Sequence, residues 1–149
     1  MKKGQYLLIQ LEKEFSHFNF NLEKEYSKDY VPYDEFSDLD VFIQDFFRNY
    51  NEDNTEETKI VDSFFKFLNK IFDIEDVEIV NLIDVTILES LIQFKEGYYI
   101  AQKYMTKGMY EYFLEEYPYK ENKDAWNTSN YYSDEEYQRI LNLPDVEDD

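Results

Sequence analysis

Apolar positions recur along most of the chain at spacings of three and four, the period of a helix face. Leu7, Leu8, Leu11, Phe15 and Phe18 open the series and predict a helix over 5–18. Phe18, Phe20 and Leu22 then alternate briefly, as a short strand would, and a polar, aromatic loop broken by Pro32 follows. Ser37 has the chemistry of an N-cap, with Asp38 and Asp40 in the first turn where the helix dipole favours acids. Leu39, Phe42, Ile43, Phe46, Phe47 and Tyr50 continue that helix on one face. Asn54 and Glu57 stand three apart, as in a capping box, ahead of Ile60, Val61, Phe64, Phe65, Leu68, Ile71 and Phe72.

After a turn at Asp73, Ile74 and Glu75, the segment VEIVNLIDVTILESLIQF is apolar nearly all round. Val77, Val80, Ile83, Ile87 and Leu91 lie on one side, and Ile79, Leu82, Val85 and Leu88 on others. A helix of that kind sits in the middle of a bundle. The β-branched residues argue for a strand, but an unbroken segment of this length argues for a helix. Gly97 stands where a C-terminal cap would. Two short helices are expected between Tyr98 and Tyr117, split at Gly108, with Pro118 stopping the second. A polar loop around Trp126 is expected over 119–132. Ser133 and Glu136 read as a capping box opening a last helix through Tyr137, Ile140 and Leu141, ended by Pro144. The expected fold is all-α: one helical bundle of about six to seven helices over 1–144, with a central apolar helix near 76–94. The tail 145–149 is acidic and expected to fray.

Composition narrows the chemistry. The 149 residues carry 34 acids against 15 bases, a formal charge of −19. Acidic disordered chains are poor in aromatics; this one holds 15 Tyr and 13 Phe, enough for a real core. The absence of cysteine excludes disulfides, thiolate metal sites and a cysteine nucleophile. The three glycines are too scattered for a phosphate loop. Nucleic acid is disfavoured as a partner, since phosphates need Lys and Arg to displace their counterions. No window is apolar enough to cross a membrane. The N-terminal apolar stretch is short and runs into Glu12, Lys13 and Glu14, so a mature cytoplasmic start is expected, not an export signal.

Little remains that could carry a reaction. Glu14 and His17 form a Glu-x-x-His pair, but His17 is the single histidine, so a di-iron carboxylate set cannot be completed. No metal and no cofactor is expected. Acid pairs such as Glu56/Glu57 arise by chance among so many carboxylates, and their placement at helix starts explains them. Asn81 and Asp84 lie three apart on the most apolar helix. A buried Asp84 would be either a functional carboxylate or part of a polar network with a Tyr hydroxyl. The richest constellation is C-terminal: Glu111, Tyr112, Glu115, Glu116, Tyr119, Trp126, Tyr131, Tyr132, Asp134 and Glu135. Tyr and Trp anchor protein interfaces, and acids among them would select a basic partner. The competing reading, somewhat favoured, is that the same rings merely close the core of the C-terminal third.

The aromatic helix DLDVFIQDFFRNY and the later VEIVNLIDVTILESL, separated by an amphipathic helix, resemble a family of small helical bacterial proteins. Its members often lie beside polymorphic-toxin genes and are regarded as immunity-like. The shared positions are Glu78, Asn81, Leu82, Ile83, Val85, Leu88 and Glu89, and the likeness covers about 35–95. It implies a non-enzymatic protein that binds and neutralises a cognate toxin. A basic toxin domain, such as a nuclease with a phosphate cleft, suits the charge. An alternative is a DNA mimic or anti-restriction protein, with carboxylates spaced along one elongated face. A carboxylate-based enzyme is the third reading.

Overall fold

A computed structural model describes residues 43–73, 76–128 and 132–147. The expectations for the first 42 residues, including His17 and the cap at Ser37, lie outside the described residues, as do Ile74, Glu75 and Tyr131. The described chain is all-α: it contains helices and no strand. In chain order they are α1 over 43–48, α2 Thr55–Phe72, α3 over 77–91, α4 Lys95–Tyr104, α5 Lys107–Glu116, α6 Tyr119–Thr128 and α7 Asp134–Leu141.

α2 begins where the sequence signals it. The Asn54 side chain accepts from the Glu57 N–H, while the Asn54 N–H donates to the Asn51 carbonyl, so a tight turn fills the role of a returning Glu57 carboxylate. Val61, Phe64, Phe65 and Leu68 then form its buried face. Phe47 from α1 inserts here, with ring centroids 5.6 Å from Phe64 and 5.9 Å from Phe65.

α3 is the central helix. Asp76 caps it by accepting from the Glu78 and Ile79 N–H groups. Ile79, Leu82, Ile83, Ile87, Leu88 and Leu91 are buried, while Val77 and Val85 are exposed. It is not uniform: Val77–Ile83 is α-helical, Asp84–Leu88 is π-helical, and Glu89–Leu91 is α-helical again. The Glu89 N–H donates to the Asp84 carbonyl, five residues back. Such a wide turn is rare in helices and shifts the face that later residues present.

Gly97 does not cap α3; it lies inside α4. A Cβ there would collide with the Leu91 carbonyl oxygen and sit 2.7 Å from its carbon. The glycine therefore permits backbone contact between the end of α3 and the start of α4. The break after α4 also falls earlier than expected, at Met105 and Thr106, not at Gly108. Asn69 on α2 holds it: its amide donates to the Tyr104 carbonyl at 3.1 Å and accepts from the Thr106 N–H at 3.1 Å. The Thr106 side chain then caps α5 by accepting from the Met109 N–H.

The expected loop around Trp126 is a helix, α6. Its apolar stripe is only Tyr119 and Trp126, too sparse to announce a period. Both rings meet Tyr98 of α4, at 5.3 and 5.6 Å between centroids, and that burial holds the segment in place. α7 starts with the full Ser133–Glu136 capping box. The beginning of the acidic tail is docked: Val146 is buried, and Asp145 lies 3.5 Å from Lys95 and 3.6 Å from Lys123.

Candidate partner-binding surface

The C-terminal constellation separates by chemistry. Its rings go inside. Tyr119, Tyr132 and Trp126 are 3%, 6% and 7% exposed, so none of them is an anchor on the free surface. Tyr119 and Trp126 sit on α6 and pack on Tyr98 of α4, while Tyr132 precedes α7 and its hydroxyl donates to the Gln93 carbonyl at 2.6 Å. The reason is energetic: an indole or phenol ring removes a large apolar area from water when a core is there to receive it. Tyr112 is half-buried and its hydroxyl donates to Asp84 at 2.6 Å.

The acids stay outside. Glu111, Glu115, Glu116, Asp134 and Glu135 are all exposed. Glu111 pairs with Lys107 one turn earlier, at 3.8 Å. Glu115, Glu116, Asp134 and Glu135 form no ion pair among the described residues. Two of these acids line a cleft of about 480 Å³ together with Gln102, Met105, Lys107, Tyr110 and Leu114. Its lining comes from α4, from the break at Met105 and Thr106, and from α5. Met105 and Leu114 are nearly buried apolar residues, and the charged groups stand around them.

Asp84 joins a polar network with Tyr hydroxyls. The Tyr112 and Tyr117 hydroxyls both donate to it, one to each oxygen. Burial, followed by the bond to Asp84, pushes both phenols above their ordinary range. Asn81 is exposed and does not join this network.

A second charged group lies where no motif marked it. The chain has two arginines, Arg48 and Arg139, and both enter it. Arg139 Nη2 lies 2.8 Å from Oε1 of Glu96, a carboxylate only 6% exposed. Arg48 Nη1 lies 3.4 Å from Glu136 Oε1, and its guanidinium sits over the rings of Phe94 and Tyr132. Burial pushes the Glu96 carboxyl up, opposed by its own backbone N–H and then by Arg139 and Arg48. Glu96 and Arg139 border another cleft of about 480 Å³ with Tyr50, Glu52, Asn51 and Tyr99 among its walls. Its charges are matched within the chain: Glu96 by Arg139, and Glu52 by Lys103 at 3.4 Å. The rarity of arginine was the one signal in the sequence that could have pointed to this group.

Among the described residues no group of three or more His, Asp or Glu is arranged to hold a metal ion. Nor is any described helix long and apolar enough to cross a membrane. No curated protein and no solved structure matches the chain. Residues 7–127, most of its length, match the model of a domain of unknown function, DUF7674, and the protein belongs to that family.

Proposed function

We propose that this protein is a non-enzymatic, immunity-like inhibitor that binds and neutralises a basic toxin domain. The observation that carries this reading is the set of unneutralised acids on packed helices. Glu115 and Glu116 on α5, and Asp134 and Glu135 on α7, are exposed and unmatched among the described residues. Such charges suit a cationic partner. They raise its local concentration and its association rate, most strongly at low salt. A chain of −19 also repels itself, and a basic partner relieves that repulsion.

The test is co-expression with the toxin-domain gene adjacent to this protein's own gene. Rescue of growth by the parent is expected, with weaker rescue by the Glu115→Lys, Glu116→Lys double variant. The reading is overturned if no rescue occurs, or if the protein instead displaces DNA from several unrelated DNA-binding proteins. The latter result would make it a DNA mimic.

A further inference from the structure

Two clefts of similar size open on the described surface, and their charges separate them. The one beside Glu96 is neutralised from within by Arg139 and Lys103. The one between α4 and α5 is not. Lys107 answers Glu111, whereas Glu115, one turn further on, meets no cation among the described residues. Met105 and Leu114 supply an apolar floor beneath these carboxylates, and the Tyr110 ring borders it.

We propose that the cleft between α4 and α5 is the seat for an arginine or lysine side chain of the basic partner. The inference rests on the function proposed above and gives that binding a place. The chemistry of the lining selects this class. A long basic side chain has an apolar stem and a cationic tip, and the stem gains from apolar cover while the tip needs an acid. Met105 offers an adaptable apolar contact for the stem. Glu115 offers the tip a carboxylate, and an aromatic ring in the wall favours a cation further. A wholly apolar anchor would leave Glu115 beside it partly desolvated and unanswered, which disfavours it. The volume, about 480 Å³, accommodates the whole side chain together with part of its neighbour.

The probe is n-butylguanidinium, titrated into the full chain while the methyl signals of Met105 and Leu114 are followed by NMR. 1-Butanol and butyrate serve as neutral and anionic controls with the same alkyl stem. Saturable shifts at these methyls are expected with butylguanidinium. Binding should weaken at least about threefold in the exposed-surface variant Glu111→Gln, Glu115→Gln. Butyrate should produce no saturable shift. Equal responses to butanol and butylguanidinium would overturn the proposal by showing an apolar pocket without charge selection. Absence of shifts at Met105 and Leu114, or shifts centred on Glu96 and Tyr99, would overturn it as well. No toxin enters this experiment, so its outcome is separable from that of the rescue test. Rescue without probe binding would keep the inhibitor and relocate its interface, and probe binding without rescue would keep the cleft and remove the toxin.

Discussion

Tyr98, Tyr112, Tyr117, Tyr132 and Tyr137 use one device repeatedly. Each ring packs in or against the core, and each hydroxyl donates to a fixed acceptor. Tyr98 reaches the Tyr117 carbonyl at 2.7 Å, and Tyr137 reaches that of Trp126 at 2.9 Å. Helix ends leave carbonyls without intrahelical partners, and phenols arriving from neighbouring helices supply them. At Asp84 two phenols converge on a single carboxylate. Tyr117→Phe should therefore cost about 1 kcal/mol in urea denaturation, with a comparable loss for Tyr112→Phe. Both phenols have a raised pKa in the fold, so their contribution is full below about pH 10 and is lost as the pH rises through the raised values. The double Phe variant should lose much of the alkaline decline in melting temperature; an unchanged decline would assign it to other groups. Glycine gives a sharper contrast. Gly97→Ala forces a methyl against the Leu91 carbonyl and should destabilise by roughly 1–3 kcal/mol. Gly108→Ala meets open space inside α5 and should stabilise by about 0.4–1 kcal/mol. If the two variants melt alike, the contact between α3 and α4 is not as close as described.

At the scale of elements, the joints carry as much information as the helices. Asn69 satisfies both a carbonyl and an N–H at the break between α4 and α5, two groups that a continuous helix would pair internally. Asn69→Ala removes both bonds and should cost about 1–3 kcal/mol. Because Asn69 bonds both sides of this break, the same variant should alter hydrogen exchange around Met105 and Thr106. Exchange unchanged at that joint would show that Asn69 does not hold it. Lys95 acts similarly on α7. Its ammonium donates to the carbonyls of Ile140 and Leu143, at 3.4 and 3.2 Å, where the negative end of a helix favours a cation. α6 has a different logic: it exists through what its two rings bury. Trp126→Ala should consequently cost about 3–5 kcal/mol of stability, the signature of a core ring and not of an exposed anchor. A melting temperature equal to that of the parent would put Trp126 back on the surface.

For the whole molecule, charge sets the response to solution conditions. At neutral pH the surplus acids repel one another, and burial pushes the Glu96 carboxyl up against the opposing pull of its backbone N–H, Arg139 and Arg48. Its folded pKa is raised, so its contribution is full below about pH 4.5 and is lost as the pH rises through the raised value. Both effects have the same sign. Melting temperature should increase as the pH is lowered from 7 towards 4.5, and added salt should reduce that gain by screening the repulsive part. The groups facing Glu96 are Arg139, Arg48 and Glu136, of which only Glu136 adds to the upward push. A flat melting temperature across this range would mean that neither repulsion nor the buried carboxyl limits stability.

Periodicity determined the helical class, the buried face of α2 and the central place of α3, and the Ser133–Glu136 pair announced the capping box of α7. These depend on residues close in sequence, and a three-or-four spacing of large apolar side chains leaves few alternatives. The acids of the candidate surface were also legible, since a carboxylate without a partner stays in water wherever the chain goes. Other features depended on residues brought together from afar. Gly97 meets the Leu91 carbonyl of another helix, and the π turn at Asp84 and the break held by Asn69 each involve residues distant in sequence. So does the choice of which aromatic rings go inside: Trp126 and Tyr119 in a polar stretch look like surface anchors until Tyr98 supplies a core for them. The pairing of Glu96 with Arg139 spans 43 residues and follows no motif. Only tertiary structure could decide these points, because the energy of a ring or a charge depends on what covers it, and sequence spacing does not encode the cover.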